Sequence, residues 1–321
     1  MENLRKRYHW IDIGDDARRQ FIDAQAVFTA WEDAAKSAAE VRGGMYWKRQ
    51  GETEYLIRTS PKNSQKSLGP RSGATVAIFE KFTARKEQAE KRWSDLSHEL
   101  ERHQRMNRAL RVGRAPKLVV DILNKLSKSG LADYFTVVGT HALYAYESAA
   151  GVQFGNADAL ATRDIDLLLD TRRRLSFVTQ MGQLGSSMLD LIKKVDPTFE
   201  LRQDQKYTAV NSKGFEVDII RREVTNGDPH PLRLTDDEAD FYAVQAKKAG
   251  VLLDGPRFSS MIIAVSGHMA RMNTISPVAF VKFKRWMAEQ PDRDTMKRRR
   301  DLLQADLVEE LVEEYLPQLR E

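Results

Sequence analysis

Residues 163–170, Arg-Asp-Ile-Asp-Leu-Leu-Leu-Asp, constrain the fold of this chain more than any other stretch. On a β-strand alternate side chains share a face, so Asp164 and Asp166 project together while Ile165 and Leu167 point into a core. Two carboxylates held that close repel unless a cation sits between them. Hard divalent ions such as Mg²⁺ take oxygen ligands, commonly one or two carboxylates together with substrate phosphates, so the pair reads as a metal site for phosphate chemistry.

A third acid lies downstream. Residues 215–220, Phe-Glu-Val-Asp-Ile-Ile, form another short β-branched run, and the turn at residues 211–214 would fold residues 207–210 back on it as a hairpin. Asp218 then sits on a strand able to pair beside the first. Upstream, residues 135–138 read as the first core strand, and Gly139-Thr140 opens a helix through Ala142, Leu143, Ala145 and Tyr146. A glycine there lets a phosphate approach the backbone, and the helix amides and the threonine hydroxyl can donate hydrogen bonds to it. Each feature alone is ordinary: a capped turn, solvated strand-end acids, an aspartate capping a turn. Their order and strand context give them meaning together.

Taken jointly, Gly139-Thr140, Asp164-x-Asp166 and Asp218 resemble the signature of the polymerase-beta-like nucleotidyltransferase superfamily. Residues 67–72 (Ser-Leu-Gly-Pro-Arg-Ser), 107–111, 139–147 and 297–305 are similar to a family of bacterial nucleotidyltransferase-fold proteins, a likeness running roughly from residue 46 to 307. The resemblance implies an α+β fold: a core of mixed sheet and flanking helices, with an N-terminal helix and hairpin extension and a C-terminal helical region. It also implies Mg²⁺- or Mn²⁺-dependent transfer of a nucleoside monophosphate from a nucleoside triphosphate to an acceptor hydroxyl, releasing pyrophosphate. The acceptor could be an RNA 3′ end, a protein side chain or a small molecule. Asp164 and Asp166 would hold both ions, and Asp218 the ion that activates the acceptor. Gly139 and Thr140 would hold the β- and γ-phosphates. Lys282, following Pro277-Val278-Ala279-Phe280, would be the cation on the triphosphate, with Lys284 as the alternative; a 3.6-residue repeat puts only one of them in the cleft. Lys297 and Asp301 are expected to pair at i, i+4, with Gln304-Ala305 as a structural brace. The competing reading is a catalytically silent nucleotide- or nucleic-acid-binding module, against which the presence of all three acids argues.

A chain of 321 residues, 41% hydrophobic, has room for two or three folded domains. The reading places boundaries at residues 1–112, 113–231 and 232–321. No run approaches the ~20 apolar residues of a membrane span, and the basic N-terminus lacks an apolar segment after it, so a cytoplasmic protein is expected. Zero cysteines exclude disulfides, thiolate metal sites and a thiol nucleophile. The net charge of +5 fits a polyanionic partner or a nucleotide pocket. Basic clusters fall at residues 5–7, 172–174, 221–222 and 297–300. Apolar spacing predicts a helix over residues 15–41, a hairpin from residues 45–48 and 54–58, a polar loop over 59–73 and one long amphipathic helix over 75–110. That last helix could pack on the core or join two chains in a homodimer. Further on, a helix at 117–127, a strand at 261–265 and helices at 276–286 and 297–316 are expected. His141 reads as a polar neighbour of the turn, His268 has no partner at ligand spacing, and nothing suggests zinc.

Overall fold

A computed structural model describes residues 10–224 and 232–320. The basic run at 5–7 and the break at 226–231 lie outside them. The chain divides into two compact units, one of residues 19–110 and the other of the remainder.

In the smaller unit, the helix Asp15–Glu40 buries Gln20, Ala24, Phe28, Ala34 and Ala38 along one stripe. A three-stranded antiparallel sheet follows, Gly44–Gln50, Thr53–Thr59 and Gln65–Pro70 in chain order. The third strand occupies part of the expected polar loop. Gln65, Lys66 and Ser67 are all exposed, so no apolar alternation marks it in the sequence. The long helix is real and runs Gly73–Ala109, opened by a capping box between Ser72 and Thr75. Polar side chains join it to the first helix. Gln20 Nε2 donates to Asn107 Oδ1 at 2.9 Å and lies 3.0 Å from His103 Nδ1, and Trp31 Nε1 donates to Ser97 Oγ at 3.1 Å.

The larger unit is built on a mixed sheet. Its strand order is Leu232–Arg233, Tyr242–Gln245, Glu216–Arg221, Asp164–Leu169, Phe135–Val138, Met269–Ile275 and Arg257–Ile263. Asp164–Leu169 runs antiparallel to Phe135–Val138 and parallel to Glu216–Arg221, while Thr208–Val210 pairs with the latter as the expected hairpin. The strand expected at residues 261–265 is in fact a hairpin, whose second strand, Met269–Ile275, lies parallel to Phe135–Val138.

Alternation sorts the two faces. Ile165, Leu167, Val217 and Ile219 join one apolar cluster with the helix Lys117–Lys128, and Leu168 joins the other, with Leu143, Phe280 and Leu311. Both faces are therefore covered, and Asp164, Asp166 and Asp218 share the second face with the helices Ala142–Ala150, Pro277–Ala288 and Thr295–Tyr315. No helix among the described residues is long and apolar enough to cross a membrane.

Candidate functional site

Strand pairing makes the acidic cluster. Parallel register sets Asp218 beside Asp166 and Glu216 beside Asp164. Asp164, Asp166 and Asp218 each offer a carboxylate oxygen within 4.8 Å of the others. Burial, then the charges of Asp164 and Asp218, push the Asp166 carboxyl up to about 7, against the pull of Lys284 and Arg293. Burial also raises Asp218, which accepts a hydrogen bond from Thr208 Oγ1 at 2.5 Å that works the other way. Asp164 accepts from the Thr162 hydroxyl. Three converging carboxylates, with no nitrogen or sulfur donor among them, fit a hard divalent cation.

The turn expected to face phosphate does face this cluster. Gly139 has φ +75°, and a Cβ there would fall against Asp166 Oδ2. Glycine is required on both counts. Thr140 is buried, and its hydroxyl accepts from Gln304 Nε2 at 3.1 Å, the same amide nitrogen donating to the Ala159 carbonyl at 2.6 Å. Gln304 thus ties the last long helix to the turn, the brace expected of it. His141 is 1% exposed and, among the described residues, neither ring nitrogen has a hydrogen-bond partner. It stacks on Tyr144 and lies near Phe215, and burial, opposed by Asp164, pushes its pKa down to about 4. It is a neutral imidazole at pH 7.

The structure does not bring Lys282 to the carboxylates. It is exposed, in a groove of about 570 Å³ with Val278, Arg285, Glu309 and Glu313. Lys284, on the opposite side of the helix, is buried and donates to Asp301 Oδ1 at 2.8 Å, while Arg293 Nε donates to Asp301 Oδ2 at 2.8 Å. The charges of both cations reach Asp166. The expected Lys297–Asp301 pair is therefore corrected: Asp301 faces inward to Lys284 and Arg293. Lys297 instead lines a cleft of about 550 Å³ with Arg163, Asp164, Gly214, Glu216 and Arg300. Arg293 carried no signal in the sequence, because it lies in the loop between the two helices, eight residues before its partner and outside any helical spacing.

A mixed sheet that presents three carboxylates to a glycine turn defines an α+β protein with a candidate phosphate-transfer centre. The family model that matches the chain is described as nucleotidyltransferase and covers residues 117–321, well over half of the sequence. The chain belongs to this nucleotidyltransferase family, whose chemistry is nucleotidyl transfer with a nucleoside triphosphate as substrate. The matched region contains Gly139, Thr140, the three aspartates, Lys284 and Gln304, and excludes the unit of residues 19–110. No curated protein and no solved structure matches the chain.

Proposed function

We propose that this chain is a Mg²⁺- or Mn²⁺-dependent nucleotidyltransferase with a polymerase-beta-like core, moving a nucleoside monophosphate from a nucleoside triphosphate to an acceptor hydroxyl. The observation that carries this reading is the convergence of three carboxylate oxygens within 4.8 Å beside Gly139. Asp164 and Asp166 would hold both metal ions and Asp218 the one nearer the acceptor. Bound divalent ions supply charge neutralisation and polarisation of the attacking and departing oxygens.

The chain's own groups do the positioning. Gly139 leaves room for the triphosphate to approach the backbone, where the Thr140 hydroxyl can donate to its oxygens; the amides of Ala142, Leu143 and Tyr144 are already bonded to the carbonyls of Gly139, Thr140 and His141. Lys284, rather than Lys282, is the lysine whose charge reaches the carboxylates, and Asp301 fixes its ammonium group. In the reaction the acceptor oxygen bonds to the α-phosphorus, the bridge to the β-phosphate breaks, and pyrophosphate leaves. The acceptor hydroxyl's proton passes to Asp218 or to solvent. RNA, a protein side chain or a small molecule are the acceptor classes, with RNA favoured by the charge distribution described below.

Mixing the purified protein with each of four labelled triphosphates, Mg²⁺ and a total cell extract tests the reading. Label is expected in one macromolecular or soluble pool, with pyrophosphate released in proportion. Tight triphosphate binding without any pyrophosphate release across all four nucleotides would instead identify a silent binding module.

A further inference from the structure

The charge of this molecule is not distributed as its total suggests. Outside residues 19–110 there are 34 Lys or Arg and 34 Asp or Glu, and the helical stretches 19–41 and 72–110 carry ten of each. The whole excess of +5 therefore sits on residues 42–71, where seven basic residues face two acidic ones. These residues are the three-stranded sheet and its turns. A balanced charge everywhere else makes general solvation a poor explanation for the concentration here.

The side chains are placed for an anionic chain. Arg42, Lys48, Lys62 and Lys66 are exposed and make no ion pair among the described residues. Trp47 and Arg58 pack on Phe79 and Phe82 of the long helix. Tyr46, Lys48 and Tyr55 share the sheet's other face, with Lys48 directly across from Tyr55 and Tyr46 38% exposed. At the edge of the sheet a hollow of about 300 Å³ is lined by Arg42, Arg58 and Lys66 together with Thr59, Ser60 and Ser64. Its one acid, Glu40, is already paired with Arg85. Clustered cations and hydroxyls suit phosphates, the exposed Tyr46 beside the half-buried Tyr55 suits stacking with unpaired bases, and hydroxyls can exchange hydrogen bonds with a ribose 2′-OH.

We propose that the basic three-stranded sheet of residues 42–71 is a binding surface for single-stranded RNA, with the Arg42–Arg58–Lys66 hollow seating a backbone phosphate. This surface goes beyond the transferase reading, because it needs neither the metal site nor a nucleotide. It would hold an RNA strand independently of the chemistry at Asp164.

Fluorescence anisotropy with the full-length protein, in EDTA and without nucleotide, tests it using labelled single-stranded RNA, the matching DNA and heparin. Each phosphate contact to a single strand contributes a slope of about 0.7 in log affinity against log salt. The triple variant Lys48→Glu, Lys62→Glu, Lys66→Glu should lower that slope by about 2 and weaken RNA binding about tenfold or more. A control with the same charge change on the long helix, Lys81→Glu, Lys91→Glu, Arg105→Glu, should weaken it far less, and Asp164→Ala should bind as the parent does. The proposal is overturned by absence of RNA binding at low salt, by equal losses in the sheet and helix variants, or by DNA or heparin binding as tightly as RNA. Because no turnover is read, a failure here leaves the transferase reading standing, and a dead transferase that still binds RNA leaves this one standing.

Discussion

Gly139 is the position where the smallest change should do the most damage. Its φ of +75° disfavours any L side chain, and the added methyl group of Gly139→Ala would press on Asp166. A loss of about 1–3 kcal/mol in stability and of most activity is expected, read by thermal melting and by pyrophosphate release. Asp166 and His141 give opposite pH signatures. The folded protein holds the Asp166 proton up to about 7 against 3.8 for the free carboxyl. The metal-free protein should therefore lose stability as pH rises from about 4 to 7, and Asp166→Asn should remove that loss while abolishing activity. Mg²⁺ should restore the melting temperature at neutral pH. His141 holds its proton only below about 4 against 6.5 when free, so its share of stability disappears as pH falls through that window. Melting His141→Phe between pH 6.5 and 4 should show a shallower acid-side fall than the parent; an unchanged slope would remove the buried neutral imidazole from the account.

At the scale of elements, the helices Pro277–Ala288 and Thr295–Tyr315 are joined by the buried Lys284–Asp301–Arg293 network. Asp301→Asn leaves two cations without their carboxylate, and a destabilisation of about 3–5 kcal/mol is expected in denaturant unfolding. The acidic strands were legible in the sequence because acids and apolar residues alternate over residues 164–167 and 216–219, with the acids on one parity. The strand Gln65–Pro70 was not, since its exposed Gln, Lys and Ser carry no alternation. Helical spacing correctly separated Lys282 from Lys284 onto different faces, but spacing fixes relative and not absolute phase. Only packing, with Val281 and Lys284 buried and Lys282 exposed, tells which face turns inward. The Lys297–Asp301 expectation failed for a related reason: a local i, i+4 pair lost to partners reached across the chain. Gln304, by contrast, was marked by its motif, although its bond to Thr140 spans 164 residues and no local pattern could have specified it.

For the whole molecule, the family match and the metal-site geometry lie in one unit, while the excess positive charge lies in the other. The proposed catalysis and the proposed polyanion capture thus fall in separate parts of one chain, and they should respond separately to mutation and to salt. Raising salt should weaken macromolecular substrates through the sheet far more than it changes turnover of a small acceptor. The central claim is that Asp164, Asp166 and Asp218 form a metal centre for nucleotidyl transfer. Divalent-dependent transfer of label from an α-labelled nucleoside triphosphate, compared between the parent protein and Asp218→Asn, tests it most directly. The account predicts transfer that needs Mg²⁺ or Mn²⁺ and falls about 10³-fold or more in the variant. Transfer that persists in the variant, or that proceeds equally well in EDTA, would contradict it.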